Sequence, residues 1–345
     1  MAVQREPRRE LWRELWRELW FVGSERVEVR PGPPLPDLGD GDVKARALCS
    51  GISQGTELLL YRGEGPALFD PSLAAPGQQE PTLYPRRYGY AWVGEVVETR
   101  DPAIALGQHV FALRPHGDVH VLRRDGLRCI PATMSSARAT LAANMETALT
   151  VVWDAGIALG DDVVLLGGGT VGLLTAMLAK KAGAARVRLV EPSPRRRQAA
   201  LCLGCDSVLA PEQAVPCGDA DVVIEATGNP ACLDQAILHA GQEATVVVAS
   251  FYGERRSPIS LGSEFHRRRL RLKSSQVSQV PPAKTARWSF DRRFARVLDY
   301  LQDERLDAIV EPPVPFAEAP GLFARLNADP GAALHSVFGY GGWEL

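Results

Sequence analysis

The chain has 345 residues, 46% of them hydrophobic and 23% charged, and its formal net charge at pH 7 is -2. This length suits two domains, and the composition is that of a folded globular protein, which argues against a disordered chain and against a membrane protein. The near-neutral charge gives no general attraction to nucleic acid or to acidic membranes, so we expect neither as a partner.

The N-terminal residues contain a tandem repeat, in which Leu-Trp-Arg-Glu occurs at 11–14 and again at 15–18. A period of four is close to the helical period and predicts a brief helix with its tryptophans along one side. The repeat is either a partner-binding stripe, an accidental duplication or the result of a mis-assigned start. We treat residues 1–19 as an extension and expect the fold to begin near Trp20. The segment is charged and lacks the apolar core of a signal peptide, which predicts a cytoplasmic protein.

Residues 20–145 are predicted to form a small β-barrel. Short alternating strands, broken by glycine and proline, fall at 27–29, 43–48, 92–98, 109–113 and 119–122. Within this region residues 63–87 are rich in proline and glycine and show no periodicity. This pattern predicts a long loop of the kind that often borders a substrate site.

After residue 143 the pattern changes to alternating strands and helices, which predicts a parallel sheet. Strands are predicted at 162–166, 186–190, 221–225, 244–250 and 270–273, with helices at 171–181, 195–203 and 231–240. A helix at 292–302 and a strand at 335–339 are predicted to return to the barrel. The resulting division assigns 146–284 to a dinucleotide-binding domain and 285–345 to completion of the first domain.

A glycine-rich turn follows the first strand of the parallel sheet. It reads Gly167, Gly168, Gly169, Thr170, Val171 and Gly172. Between an apolar strand and an apolar helix such a turn is a dinucleotide phosphate cradle: Gly167 permits the tight turn, Gly169 lets the backbone approach the pyrophosphate, and Gly172 lets the helix pack on the strand. Thr170 and Val171 open the helix, whose N-terminus faces the anion.

Residues after the second strand bear on the choice of cofactor. Glu191 ends that strand nineteen residues after Gly172, near the spacing at which an acidic residue binds the adenosine ribose diol. This favours NAD, because a carboxylate repels the extra phosphate of NADP. Arg195 and the two arginines after it follow closely, and an arginine near this turn can accept a 2′-phosphate, so NADP stays an alternative.

Four motifs are shared with a known superfamily: 50–52 with 55–57, Gly89 with 94–97, the glycine turn, and 221–228. By them the chain resembles, over nearly its whole length, the medium-chain dehydrogenase/reductase superfamily, which includes the alcohol dehydrogenases. The resemblance implies an α/β protein with a GroES-like β-barrel catalytic domain and a Rossmann domain, that is, a doubly wound parallel sheet. It also implies a nicotinamide cofactor near Thr227, and a homodimer joined through an edge strand at 270–273. Residues 50–57, with Gly89, Tyr90 and 251–252, are similar to the bacteriochlorophyllide hydroxyethyl dehydrogenase branch.

The positions of the superfamily's catalytic zinc ligands have changed here. Zinc-dependent members use a cysteine, a histidine and a glutamate after a glycine, and a further cysteine, aspartate or glutamate. The corresponding residues are Ser53, Tyr90, Ala91 and Glu146. Only Glu146 keeps ligand chemistry, and one carboxylate cannot hold zinc selectively. The four clustered cysteines of the structural zinc lobe are also absent, so we expect no zinc.

Without a metal, hydrogen-bond donors must stabilise the charge that develops during hydride transfer. Tyr90 and Ser53 are the acid/base candidates, or they simply fill the vacated metal pocket. Glu57 either relays a proton or braces its loop by a salt bridge. Glu146 binds a substrate hydroxyl, orders a water, caps a helix or forms a buried ion pair. His116 is a candidate proton shuttle, although a loop histidine is more often solvated.

The resulting hypothesis is a zinc-independent, NAD(P)-dependent oxidoreductase that acts on a small molecule, a secondary alcohol or its ketone. One alternative is an ene or quinone reductase, in which the charge delocalises over a conjugated substrate. The other is a nucleotide-binding protein without catalysis that serves as a sensor or partner subunit.

Overall fold

The computed structural model describes residues 16–64, 82–216 and 218–341. The chain forms two compact units. The first comprises the chain up to Thr140, Pro312–Ala328 and the residues from Ser336 onward, and the second comprises Leu141–Glu311 and Asp329–His335. This differs from the predicted division, which placed 285–311 with the barrel. Those residues belong to the second unit because a helix at Phe290–Tyr300 packs on a helix at Ala142–Ala155.

The first unit contains two sheets. Its strands are β1 (Arg17–Gly23), β2 (Arg26–Pro31), β3 (Asp42–Gly51), β4 (Arg86–Arg87), β5 (Trp92–Thr99), β6 (His109–Ala112), β7 (Val119–Arg123) and β8 (Arg128–Cys129), and later β15 (Val314–Pro315) and β16 (Val337–Gly339). One sheet has the order β2-β1-β4, and the other has the order β15-β16-β3-β5-β6-β8 with β7 also paired to β3. The helices are α1 (Gln54–Arg62), α2 (Ser136–Ala139) and α10 (Ala319–Ala328). The predicted β-barrel is thereby confirmed.

The N-terminal prediction was wrong for the residues that can be compared. Strand β1 begins at Arg17, so the second half of the repeat is extended and not helical. Leu19 and Phe21 are fully buried, and Trp16 is 6% exposed with its indole Nε1 donating to the Pro33 carbonyl at 2.7 Å. Pairing with β2 and burial of alternate residues outweigh the four-residue period. Residues 11–15 lie outside the described residues, as does most of the predicted loop at 63–87.

The second unit is a single parallel sheet between helices. It runs β9 (Asp162–Leu166), α4 (Thr170–Ala182), β10 (Arg186–Val190), α5 (Pro194–Cys202), β11 (Ser207–Leu209), β12 (Ala220–Glu225), α6 (Cys232–His239), β13 (Ala240–Val248), α7 (Glu264–Arg267), β14 (Arg271–Ser274) and α8 (Pro282–Thr285), preceded by α3 (Ala142–Ala155) and followed by α9 (Phe290–Tyr300). The strand order is β11-β10-β9-β12-β13-β14, and every pair is parallel.

This order is that of a doubly wound Rossmann sheet, which confirms the predicted fold. The chain reverses its direction of winding between β9 and β12, and ligands bind beyond the carboxyl ends of strands at such a point. Residues Val164 and Val223 are 1% and 0% exposed, so this part of the sheet is buried on both faces. None of the described helices is long and apolar enough to cross a membrane.

Candidate active site

The glycine turn has the geometry that a dinucleotide cradle needs. Gly167 has φ 100°, and a Cβ there would lie 2.6 Å from the Ala226 carbonyl oxygen. A Cβ on Gly172 would lie 2.1 Å from the Gly167 carbonyl oxygen, so helix α4 can approach the turn only with glycine at this position. Gly169 is the N-cap of α4, and nothing lies within 4 Å of its Cβ position. The turn therefore fits a pyrophosphate at the helix N-terminus.

Glu191 is locked to the glycine turn. Its side chain is 3% exposed, its Oε2 accepts the Gly168 backbone N–H at 2.7 Å, and its Oε1 accepts the Ser193 N–H at 2.8 Å. A Cβ on Gly168 would lie 3.0 Å from Glu191 Cγ, which explains the middle glycine, whose role the sequence did not indicate. Each carboxylate oxygen keeps further acceptor capacity, so the predicted ribose contact stays available.

The three arginines of α5 are directed at protein acceptors. Arg195 forms an ion pair with Glu311 at 2.8 Å, and Arg196 is largely desolvated, which lowers its pKa. The backbone acceptors are the carbonyls of Pro330, Ala332 and Ala333 for Arg195 and Arg196, and those of Glu191 and Pro192 for Arg197. The guanidinium groups of Arg195 and Arg196 hold residues 330–333 against α5. Thr170, with Val171 in the first turn of α4, lies beside this segment, its hydroxyl 3.5 Å from the Leu334 carbonyl.

A buried carboxylate lies at the carboxyl end of β12. Glu225 is fully buried; its Oε1 accepts the Thr227 backbone N–H at 2.7 Å and the Thr227 hydroxyl, and its Oε2 accepts the Tyr252 hydroxyl. Burial, and then the bond to Glu225, raise the pKa of Tyr252. The hydroxyl of Thr227, a predicted cofactor residue, is therefore engaged with Glu225. The sequence did not predict this pairing, because Tyr252 lies beyond the end of the next strand.

In the first unit, three side chains form what we call the hydroxyl cluster: Ser53, Thr56 and Tyr90. The phenol of Tyr90 lies within hydrogen-bonding reach of the hydroxyls of Ser53 and Thr56. Burial raises the pKa of Tyr90 to about 12, and the charge of Glu57 acts in the same direction. Tyr90 is therefore a protonated donor at neutral pH. The structure brings the two predicted acid/base candidates together and adds Thr56.

Glu57 and His116 form a fully buried pair beneath the cluster. Glu57 Oε1 accepts the Ser53 backbone N–H at 2.8 Å, and its Oε2 lies 2.9 Å from His116 Nε2. His116 Nδ1 lies 2.7 Å from Ser50 Oγ, which lies 2.6 Å from Tyr340 Oη. Glu57 thus braces its loop, through a histidine and not through a lysine or arginine. The expectation of a solvated His116 was wrong, since this residue is 1% exposed.

Gly89 makes room for this histidine. It has φ 117°, and a Cβ at this position would lie 2.8 Å from both Cδ2 and Nε2 of His116. A side chain here would displace the imidazole. His120, four residues on, bonds instead to the Pro115 carbonyl at 2.9 Å, and burial lowers its pKa to about 3. The two histidines therefore have different hydrogen-bond partners.

Glu146 lies on α3 in an ion pair. Its Oε1 is 3.0 Å from Nε of Arg293, which is 4% exposed and also donates to Thr150 Oγ1 and to the Val277 carbonyl. Of the roles predicted for Glu146, the structure displays the ion pair. A carboxylate held this way is already neutralised and has less to offer a cation.

The side chains at the positions of the superfamily's zinc ligands do not fit a catalytic zinc ion. They are two neutral hydroxyl groups, an alanine methyl and a carboxylate already paired with Arg293. Structural and catalytic zinc sites use thiolate, imidazole and carboxylate ligands, at least three of them from the protein. Within residues 16–64, 82–216 and 218–341 no group of three or more His, Cys, Asp or Glu side chains converges to hold a metal ion.

A Rossmann sheet with a phosphate cradle, together with a β-barrel, defines the class of nicotinamide-dependent two-domain dehydrogenases. The family model described as zinc-binding dehydrogenase matches residues 170–291. The D-guloside 3-dehydrogenase of Escherichia coli K12 is 27% identical over 310 residues, covering 82% of this chain and 88% of that protein.

A second relative, the 2-desacetyl-2-hydroxyethyl bacteriochlorophyllide A dehydrogenase of Rhodobacter capsulatus, is 31% identical over 231 residues, covering 63% of this chain and 68% of that protein. A solved structure from Sinorhizobium meliloti 1021, a candidate zinc-binding dehydrogenase bound to NADP, has a TM-score of 0.76 and 22% identity, covering 94% of this chain and 99% of that one. The chain belongs to the medium-chain dehydrogenase/reductase superfamily, which confirms the predicted resemblance. It is an NAD(P)-dependent dehydrogenase or reductase.

Proposed function

We propose that the protein is a zinc-independent, NAD-preferring oxidoreductase that moves a hydride between the nicotinamide and a small molecule with a secondary alcohol or the corresponding ketone. The hydroxyl cluster carries this proposal. The Tyr90 phenol lies within hydrogen-bonding reach of the hydroxyls of Ser53 and Thr56. Ser53 and Tyr90 occupy positions at which zinc-dependent members of the superfamily have metal ligands. A set of hydroxyl donors is the chemistry that can stabilise an oxyanion when no Lewis acid does so.

Tyr90 is the proton donor in this proposal. In ketone reduction the cofactor supplies the hydride, and negative charge develops on the carbonyl oxygen. The phenol donates its proton to that oxygen, while the hydroxyls of Ser53 and Thr56 stabilise the phenolate that is left. In alcohol oxidation the same groups act in reverse.

The preference for NAD is supported by Glu191 and by the α5 arginines. The carboxylate of Glu191 is held at the strand end by two backbone N–H groups, so it is already positioned for ribose hydroxyls. The guanidinium groups of Arg195 and Arg196 donate to residues 330–333, and Arg195 pairs with Glu311. Binding a 2′-phosphate would require breaking these contacts.

An alcohol substrate is supported by the names of the two relatives. One is a dehydrogenase of a guloside, and the other is a dehydrogenase of a hydroxyethyl bacteriochlorophyllide. Both names describe removal of hydrogen from a substrate with alcohol groups. We therefore place the substrate among secondary alcohols and ketones.

A substrate panel tests this proposal. NADH oxidation is followed with ketones, conjugated enones and quinones, and NAD reduction is followed with secondary alcohols. We expect turnover of ketones and secondary alcohols. Turnover of enones or quinones alone would assign the protein as an ene or quinone reductase, and tight NADH binding without turnover on any panel would indicate a sensor.

Metal analysis tests zinc independence separately. We expect purified, active protein to contain far less than one zinc per chain and to keep its activity after treatment with a chelator. Stoichiometric zinc, with activity lost to the chelator and restored by added zinc, would contradict the proposal.

We further propose that the protein is a homodimer in which two copies of β14 pair. This strand is at the end of the parallel sheet, and all four of its residues are exposed. An edge strand presents unpaired backbone donors and acceptors that a second copy can satisfy. Light scattering should give twice the chain mass of 37.4 kDa, and Leu272→Pro, which removes a backbone donor, should give monomers.

A further inference from the structure

We propose that His116 is a positioning residue of the hydroxyl cluster: lying between Ser50 and Glu57, it donates its Nε2–H to Glu57 and holds that carboxylate, which in turn holds Ser53 against Tyr90. This inference rests on the proposed function, because it concerns the same cluster. It assigns a task to a buried histidine that hydride transfer itself does not use.

The direction of the hydrogen-bond chain follows from Glu57. A carboxylate accepts hydrogen bonds and donates none. Its Oε2 lies 2.9 Å from Nε2 of His116, so this ring nitrogen carries a hydrogen and donates it. On the other side of the ring, Nδ1 lies 2.7 Å from Ser50 Oγ, which lies 2.6 Å from Tyr340 Oη.

The imidazole of His116 has a polar partner at each ring nitrogen. Glu57 accepts from Nε2 at 2.9 Å, and the Ser50 hydroxyl, which is able to donate, lies 2.7 Å from Nδ1. Neither Phe338, whose ring meets the imidazole edge-on at 5.1 Å, nor Gly89, which has no side chain, offers a competing side-chain hydrogen bond. The orientation of the ring therefore follows from Glu57 and Ser50.

The near end of the chain reaches the cluster through the backbone of Ser53. This residue is the N-cap of α1, yet its hydroxyl makes no capping bond. The side-chain oxygen of a serine at an N-cap ordinarily accepts a hydrogen bond from a backbone N–H of the first turn. Here the Thr56 N–H bonds to the Ser53 backbone carbonyl at 3.0 Å, which leaves the Ser53 hydroxyl for Tyr90. Glu57 fixes the backbone of Ser53 by accepting its N–H at 2.8 Å. His116 keeps the Glu57 carboxylate pointed at that N–H.

Two substitutions separate positioning from mere space-filling. Gln at position 116 can place an amide N–H near the Nε2 position and keep the donor to Glu57. Asn is shorter and can replace only the Nδ1 acceptor. We expect His116→Asn to lower kcat about tenfold or more with the NADH Kd unchanged, and His116→Gln to retain most of the activity. Equal losses in both variants would overturn the proposal.

The matched control is His120→Gln. His120 bonds to the Pro115 carbonyl and, with a pKa of about 3, is neutral at working pH. This variant should keep the wild-type kcat, and circular dichroism should show that all three variants fold.

A measurement on the wild-type protein shows whether Nε2 of His116 carries a hydrogen, and it does not depend on enzyme activity. In protein labelled with nitrogen-15 and carbon-13, the His116 ring signals are assigned through bonds from its own backbone. We expect Nε2 to carry a hydrogen at pH 8, and an Nε2 without a hydrogen would overturn the inference. If the wild-type protein binds NADH but turns over no substrate, the proposed function fails, and this measurement still tests the role assigned to His116. The same measurement tests that role if the variants fail to fold.

Discussion

The carboxylate of Glu191 accepts the backbone N–H of Gly168 at 2.7 Å, which joins the end of the second parallel strand to the middle of the glycine turn. The bond is made entirely by the protein's own atoms. It joins the turn proposed to receive the pyrophosphate and the carboxylate proposed to face the ribose into one element.

Substitution of Glu191 should weaken cofactor binding without reversing cofactor choice. Glu191→Ala removes a carboxylate that makes two backbone hydrogen bonds, each worth about 1.5–3 kcal/mol for a charged acceptor. We expect the NADH Kd to rise about tenfold or more, with no gain in NADPH affinity, because the α5 arginines are engaged. Fluorescence titration with both nucleotides checks this. An NADPH affinity above that for NADH would contradict our account of the arginines.

Alanine substitutions at two glycines of the turn should affect cofactor binding and stability separately. A Cβ on Gly169 meets nothing within 4 Å, whereas on Gly172 it meets the Gly167 carbonyl oxygen at 2.1 Å. Gly169→Ala should therefore keep the melting temperature but weaken NADH binding, because the methyl group lies where the pyrophosphate approaches. Gly172→Ala should destabilise the fold itself. Thermal unfolding with and without NADH distinguishes the two, and unchanged NADH affinity in Gly169→Ala would contradict the cradle.

Loss of the Tyr90 hydroxyl should slow the chemical step. General acid catalysis contributes about 10²- to 10⁴-fold, so Tyr90→Phe is expected to lower kcat by about tenfold at the least. Because the Tyr90 pKa is raised to about 12, the wild-type phenol stays protonated and its contribution should persist up to pH 10. Tyr88→Phe is the control, since Tyr88 packs edge-on against Tyr90 with ring centroids 6.0 Å apart. An unchanged kcat in Tyr90→Phe would reduce Tyr90 to a packing residue.

Breaking the Glu146–Arg293 pair should cost stability. Removal of one partner of a buried ion pair costs about 3–5 kcal/mol, because the other charge loses the partner that compensates its burial. We therefore expect Arg293→Met to lower the free energy of unfolding by that amount, and Glu146→Gln in the same chain to recover part of the loss. Arg296 and Asp299 form an exposed pair on the same helix, and Arg296→Ala should cost less than about 1 kcal/mol. Urea unfolding measures all of these, and a small effect of Arg293→Met would argue against the pair.

Stability should fall as the solution is acidified below the pKa of an unfolded histidine. His335 is 1% exposed, and burial lowers its pKa from 6.5 to about 4. The unfolded chain binds a proton near pH 6.5 and the folded chain does not, so stability is lost as pH decreases from 6.5 to 4, by about 3 kcal/mol for this residue. His335→Gln should flatten this part of the stability curve. An unchanged slope would show that His335 does not contribute.

Local signals in the sequence were sufficient for the Rossmann unit. Strands β9 and β10 fall where apolar runs predicted them, and the glycines occupy the positions that a tight turn and a close helix approach demand. Such features depend on neighbouring residues, because turn chemistry and side-chain period act over a few positions. The same holds for Ser53 and Tyr90, which the family motif placed together.

The partners of the charged and polar side chains were decided only by the tertiary structure. His116 meets Glu57 across 59 positions, and Ser50 meets Tyr340 across 290. From the sequence, a loop histidine is expected to be solvated and the N-terminal repeat is expected to be helical. The fold buries the histidine, and β2 pairs with the strand that contains the end of the repeat. Burial and pairing depend on which distant segments pack together, and their energies exceed the local preferences on which sequence patterns rest.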